Sequence, residues 1–169
     1  MLRHSSGKYF PHLIIILLSV LFYGTSLQND FALDDRFIFE NIPPKDAPAS
    51  DIFKVFSQRF VREDYRPVAY FTYAVEQMVV GEIKPIVSHS INLFLYIAVI
   101  ILLYSTISLL PVAHSTSIAL AAALLFLAHP AHAGVVNNLK SRDGLFSMLF
   151  LLGALKAFLI YEQHKRWYL

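Results

Sequence analysis

The sequence contains no cysteine. That excludes a disulfide framework, a thiolate metal site and a thiol nucleophile. Charge is also scarce: only 15% of the 169 residues are Asp, Glu, Lys or Arg, while 56% are hydrophobic. An ordinary soluble domain carries roughly 25% charged residues, and a chain this short folded in water could not hide so much apolar surface. The 14 Lys+Arg against 12 Asp+Glu leave a formal charge of +2, too small and too scattered for binding a phosphate backbone. There is no Gly-rich phosphate loop, internal repeat, low-complexity tract or zinc-ligand spacing. A soluble enzyme, a disordered tail and a nucleic-acid binder are thereby set aside.

What is present is a set of long apolar runs. Residues 9–29 form an uncharged stretch of 21 and residues 85–139 one of 55. A spanning helix needs roughly 20 apolar residues, and 55 residues at 1.5 Å each would make a helix about 82 Å long. The second run must therefore fold back, with a break predicted at Ser108 to Ser115, where Pro111, His114, Ser115 and Thr116 interrupt the aliphatics. Pro130 ends the next helix, because the residue before a proline is pushed out of helical geometry. A fourth segment, Leu145 to Tyr161, carries one charge, Lys156, near enough to its end to snorkel.

These runs predict an all-α integral membrane protein of one domain over residues 1–169, with spans at about 9–28, 87–110, 112–128 and 145–161. Gly24-Thr25-Ser26 would suit signal-peptide cleavage, but the multispanning remainder favours an uncleaved first span. Arg3 and Lys8 precede the spans, and Lys165, Arg166, Trp167 and Tyr168 follow them. This places both termini in the cytoplasm and the loops at about 30–84 and 129–143 on the extracytoplasmic side.

The first loop holds 17 of the 26 charged residues, between Asp30 and Lys84. Asp51 to Phe60 places Ile52, Phe53, Val55, Phe56 and Phe60 on one helical face, and Pro67 to Val80 does the same with Val68, Phe71, Thr72, Val75, Met78 and Val79. Such amphipathic helices, too polar to span, fit a membrane surface or a helical bundle.

The candidates for chemistry lie in these loops. The Asp34–Asp35 pair could act as a general base, each carboxylate raising the other's pKa, or hold a divalent cation; a helix cap or solvated turn also accounts for it. His129-Pro130-x-His132 is followed by Asn137, Asn138, Lys140, Arg142 and Asp143, a set of donors and cations suited to a phosphate leaving group or simply to capping at the interface. No third ligand completes a zinc site with the two histidines. In Tyr65-Arg66-Pro67 the proline starts a helix and the arginine is left for an acid or a phosphate. His89 and Asn92, one turn apart, suit a hydrogen bond between helices or to the loop.

In chain order, Phe31-Ala32-Leu33-Asp34-Asp35, Tyr65-Arg66-Pro67, His89-x-x-Asn92, His129-Pro130-x-His132 and Ser141-Arg142-Asp143 resemble a known arrangement. It is the N-terminal membrane region of polyprenyl-phosphate-dependent glycosyltransferases of the GT-C superfamily, and among them the protein O-mannosyltransferase-like proteins with tetratricopeptide repeats. The resemblance covers about Asn29 to Leu155, with Gly134, Tyr96 and Gly144 departing from the side chains usual in the family. It implies a GT-C-like fold and transfer of a sugar from a polyprenyl-phosphate carrier to a hydroxyl acceptor, such as protein Ser or Thr, on the extracytoplasmic side. Asp35, or else Asp34, would be the base or acceptor-orienting carboxylate. Arg66, His129, His132, Lys140, Arg142 and Asp143 would serve the substrate and its phosphate. The implied partners are membrane lipid, the lipid-linked sugar and the acceptor, with no nucleic acid and no cofactor beyond a divalent cation.

The resemblance also implies a fragment, inactive alone, because family enzymes continue into further spans. Compact loops and the absence of cysteine point to a bacterial inner membrane rather than the endoplasmic reticulum. The alternative is a noncatalytic multispanning scaffold or assembly protein. A transporter would place ionisable residues in mid-span, where this sequence has none beyond Lys156, which lies near the end of its segment.

Overall fold

The computed structural model describes residues 9–32, 35–57 and 65–165. Helix α1 is Phe10–Tyr23, α2 Arg36–Glu40, α3 Pro67–Val80, α4 Pro85–Ile107, α5 Ser115–Ala128, α6 Ala131–Asn137 and α7 Arg142–Lys165. There is no strand among the described residues. Three segments are long and apolar enough to cross a membrane: α1 with its 3-10 continuation to Gln28 (19 residues), α4 (23 residues), and Leu139–Lys165, which is α7 with the turn before it (27 residues). Helices α5 and α6 together pass the same test but are bent by 68°. The fold is thus an all-α membrane fold of three straight spans and one bent pair.

Proline places most of the boundaries. Pro85 opens α4, where a missing N–H costs nothing. His129, preceding Pro130, is extended at φ −69° and ψ 124°, which stops α5. Pro130 then caps a new helix, so the segment expected as a loop from 129 to 143 instead contains α6 and a 3-10 turn at Leu139–Ser141. The chain turns between α4 and α5 at residues 108–114, with His114 left-handed at φ 57°. The first loop helix is a 3-10 helix, Ala49–Phe56, rather than an α-helix over 51–60; residues 58–60 lie outside those described.

Helix α4 is central and packs against α1, α5 and α7. Helix α1 buries Pro11, Ile15, Ser19 and Tyr23, every fourth residue, and α5 buries Ala119, Ala123 and Leu127 at the same spacing. The alanines let the helices approach closely, as is common inside membranes. The kink at Pro130 leaves the Leu127 carbonyl without its helical donor. The hydroxyls of Tyr23 (2.9 Å) and Tyr96 (3.2 Å) donate to it. Leu17, Phe94, Leu125 and Phe150 point outward and are 60–74% exposed, a surface suited to lipid rather than water. Lys156, expected to snorkel, instead donates sideways to Ser105 Oγ of α4 at 2.9 Å.

The first loop forms a layer on one end of this bundle. Ile38, Ile42, Val55, Ala69, Tyr70, Tyr73 and Ala74 pack together with Leu139 into a second core. Helix α3 ends at Gly81, left-handed at φ 85°, a conformation that suits glycine. A four-residue link then returns the chain to α4.

Candidate functional site

The loop layer meets the spans at Arg142, the first residue of α7 and completely buried. Its Nε donates to Asn92 Oδ1 (2.7 Å) and Nη2 to the Ser88 carbonyl (3.0 Å), both on α4. Nη1 donates to Thr72 Oγ1 (3.0 Å) and to Glu76 Oε1 on α3, while the guanidinium stacks 3.9 Å from the centre of the Tyr73 ring. The second Glu76 oxygen accepts from the Ser88 hydroxyl. One cation thus ties α3, α4 and α7 together, and its carboxylate partner is itself only 5% exposed. A buried ion pair is tolerated when its polar atoms are hydrogen-bonded, and here every Arg142 nitrogen and both Glu76 oxygens are engaged.

Tyr73 extends this junction. Its hydroxyl donates to the Leu139 carbonyl at 2.5 Å. Burial pushes the phenol well above the ordinary tyrosine range; Arg142 opposes the shift, and Glu76, Asp35 and Asp143 add to it. Tyr73 therefore stays a protonated donor at any physiological pH. Asp35 is fully buried, with Oδ2 accepting from the Ala32 N–H at 2.8 Å, and lies within electrostatic reach of both Tyr73 and His89. His89 and Asn92 are likewise buried in the first turns of α4, and Asn92 Nδ2 reaches the Asn138 carbonyl at 3.4 Å. Asp34 lies outside the described residues.

Arg66 stands at the open edge. It donates to the Lys140 carbonyl (2.8 Å) and to Asp143 (3.2 Å), yet its side chain remains 28% exposed. It borders a groove of about 240 Å³ whose walls include Tyr65, Pro67, Asp143, Phe146, Ser147 and Phe150. Lys140 contributes backbone here, its N–H donating to Asn138 Oδ1 at 3.0 Å.

The two histidines belong to the α5–α6 elbow. His132 lies against Phe126, with ring centres 4.1 Å apart and Nδ1 2.7 Å from the Phe126 carbonyl. The His129 Nδ1 accepts from the Ala131 N–H at 3.3 Å. The cavity beside His132 is bounded by Tyr96, Phe126, Gly144, Leu145 and Met148. The first turns of α7 therefore present Asp143 and Phe146 to the Arg66 groove and Gly144 and Leu145 to the elbow. Among the described residues no three of His, Cys, Asp and Glu are grouped to hold a metal ion.

Thr72, Tyr73, Glu76 and Ser88 were not singled out by sequence reasoning as site residues. One signal could have found Glu76: it is the lone charge between Pro67 and Val80, and a lone acid in an apolar helix calls for a buried cation.

Fold and junction together define a polytopic α-helical membrane protein whose first loop is docked on its spans through buried charge. No family model and no solved structure matches the chain. Curated relatives do. Protein O-mannosyl-transferase TMTC1 of Homo sapiens is 31% identical over 155 residues, covering 86% of this chain and 17% of the relative. Protein O-mannosyl-transferase TMTC4 of Homo sapiens is 25% identical, covering 89% of this chain and 23% of the relative. Protein O-mannosyl-transferase F38B6.6 of Caenorhabditis elegans is 28% identical, covering 85% and 22%. The chain spans 14–23% of the length of the curated relatives it matches. Over most of its own length it is thus related to protein O-mannosyl-transferases.

Proposed function

We propose that this chain builds part of a membrane glycosyltransferase site that moves mannose from a polyprenyl-phosphate carrier to a Ser or Thr hydroxyl on the extracytoplasmic side. The observation that carries this reading is the position of Arg66. A partly open cation sits at the head of a groove whose apolar wall, Phe146 and Phe150, runs onto the outer face of span α7. A phosphate would rest on Arg66 while its isoprenoid chain follows α7 into the lipid. The relatives, which are protein O-mannosyl-transferases, suggest the sugar and the protein acceptor.

In the reaction, Asp35, or Asp34 beside it, takes the proton of the acceptor hydroxyl as its oxygen attacks the anomeric carbon. The bond from that carbon to the phosphate oxygen breaks, and the electron pair leaves with the carrier phosphate. Arg66 neutralises the added charge, with Lys140 as a further cation on the phosphate side. Asp143 orients Arg66, and His132 fixes the elbow. Arg142 acts through the protein: each of its three nitrogens donates internally, and it holds α3 and α7 in place around Asp35 and Arg66.

The test is photocrosslinking of the chain in lipid nanodiscs with a benzophenone-bearing polyprenyl-phosphate mannose. Labelling of peptides containing Phe146 and Phe150, competed by free polyprenyl phosphate and much reduced in Arg66→Ala, is expected. Labelling that is indifferent to Arg66 or to competitor would overturn the reading. The scaffold alternative draws on the full burial of Arg142, and it requires that no carrier bind at all.

A further inference from the structure

Helix α3 turns an unusual face to the outside. Its protein-facing side is Ala69, Tyr70, Tyr73, Ala74 and Glu76. Branched aliphatics lie on the other side: Val79 is 74% exposed and Val80 37%. Between this face and α4 runs a groove of about 380 Å³, walled by Phe71, Val75, Val79 and Val80 of α3 and by Val87 and Ile91 of α4. Among the described residues its only ionisable lining group is Glu76, whose two oxygens are engaged by Arg142 and Ser88. A single water needs about 10–15 Å³ and polar partners. This groove has the room and lacks the partners.

Continuity says what fills it. Val87 and Ile91 lie in the first two turns of a membrane span, and Phe94, one turn further on, is 69% exposed on the bilayer-facing surface. The four-residue link from Gly81 to Lys84 holds the end of α3 beside the start of that span. The groove is therefore an upward extension of the lipid-facing surface of α4. The exposed Glu82–Lys84 ion pair (3.4 Å) marks a polar level beside it. We propose that α3 lies in the membrane interface and that the α3–α4 groove seats a hydrocarbon chain of a bilayer phospholipid. The site is distinct from the Arg66 groove and does not depend on the sugar-transfer reading. Interfacial helices bury their apolar face about 5–10 Å into the headgroup boundary, the depth at which an acyl chain begins.

Two measurements test this on the whole chain in phosphatidylcholine vesicles. The single Trp is removed by Trp167→Phe, and one new Trp is placed by Val79→Trp, Phe94→Trp or Lys45→Trp. Lipids brominated on the upper acyl chain are expected to quench Val79→Trp at least half as strongly as Phe94→Trp. Aqueous iodide should quench only Lys45→Trp strongly. Val79→Trp behaving like Lys45→Trp, or losing its protection when the protein is diluted in lipid as a contact between two copies would, overturns the proposal. In native mass spectrometry, filling the groove with Val75→Phe plus Val87→Phe should remove about one retained phosphatidylcholine per chain. An unchanged count, or a retained mass matching a polyprenyl carrier instead, overturns it equally. If the filled variant does not fold, the tryptophan measurements still decide.

Discussion

The two ends of helix α4 are held in opposite ways. At the loop-bearing end Ser88, His89 and Asn92 are all fully buried, and Arg142 and Glu76 bring ionised groups into the same space. At the other end, among the described residues, the polar contacts are single hydrogen bonds, Lys156 to Ser105 and Gln163 to the Leu109 carbonyl, with one edge contact of His12 on Tyr104. Hydrocarbon gives helices no hydrophobic reason to associate, so ordinary spans rely on packing and isolated hydrogen bonds. A dense buried network is needed only where something other than a span must be fixed. Here that is α3, the helix that carries the loop layer and follows directly on Arg66.

The contrast can be broken most severely at Glu76. Removing one partner of a buried ion pair leaves the other charge uncompensated, at about 3–5 kcal/mol. Glu76→Ala should therefore cause the largest loss of stability of any single change, read as loss of folded protein in detergent titration. The combined replacement Glu76→Leu with Arg142→Met should recover most of it, since apolar substitutes for a buried pair are often neutral. If the single variant is as stable as the parent, the network is not what docks α3.

How legible this was in the sequence depended on which side of a helix mattered. The uncharged runs pointed to helices long enough to span, and Pro111 and Pro130 to the breaks, because proline acts through local geometry that needs no neighbours. The apolar face of α3 was visible too, but periodicity alone does not say whether such a face meets protein or lipid. The buried side proved to be the one with Tyr70, Tyr73 and Glu76. Helix α6 was missed because Ala131 to Asn137, with its central Gly134, is short and aperiodic and is started by the same proline that stops α5. Arg142 and Arg66 looked equivalent as loop cations. Only their tertiary surroundings, with the Arg142 partners all 50 or more residues away, make one a fully buried strut and leave the other 28% exposed.

That difference between the two arginines sets the next effect. Arg66→Ala should weaken carrier binding about tenfold, equivalent to about 1.4 kcal/mol. Its partly exposed pair with Asp143 should matter to stability by no more than about 1 kcal/mol. Titration with the photoreactive carrier and chemical unfolding of the same samples separate the two. Equal losses in both would merge Arg66 with the Arg142 network and erase the distinction.

Within the bundle, Tyr96→Phe removes a hydroxyl that bridges the Leu127 carbonyl (3.2 Å) and His132 Nδ1 (3.3 Å) at the α5–α6 elbow. The expected cost is about 1 kcal/mol, the net worth of an ordinary hydrogen bond, measured by unfolding in mixed micelles. Tyr23 still donates to the same carbonyl at 2.9 Å, so the elbow should keep its bend. A larger loss would mean that the bent pair, like the loop end, is held by a cooperative network.

The smallest effect is expected at the far end, and it is the control for all the others. Ser105→Ala deletes the acceptor for Lys156 without changing the packing of α4 on α7. Hydrogen bonds between membrane helices average about 0.6 kcal/mol, because the unfolded chain in the membrane also finds partners for the freed groups. Lys156 is especially free to do so, since its long side chain can reach the interface once Ser105 no longer holds it. The loss should therefore fall at or below that average, and Lys156→Met should be neutral or slightly stabilising. A loss at Ser105 approaching that at Glu76 would mean that both ends of α4 are fixed by polar anchoring, and the loop end would no longer be special.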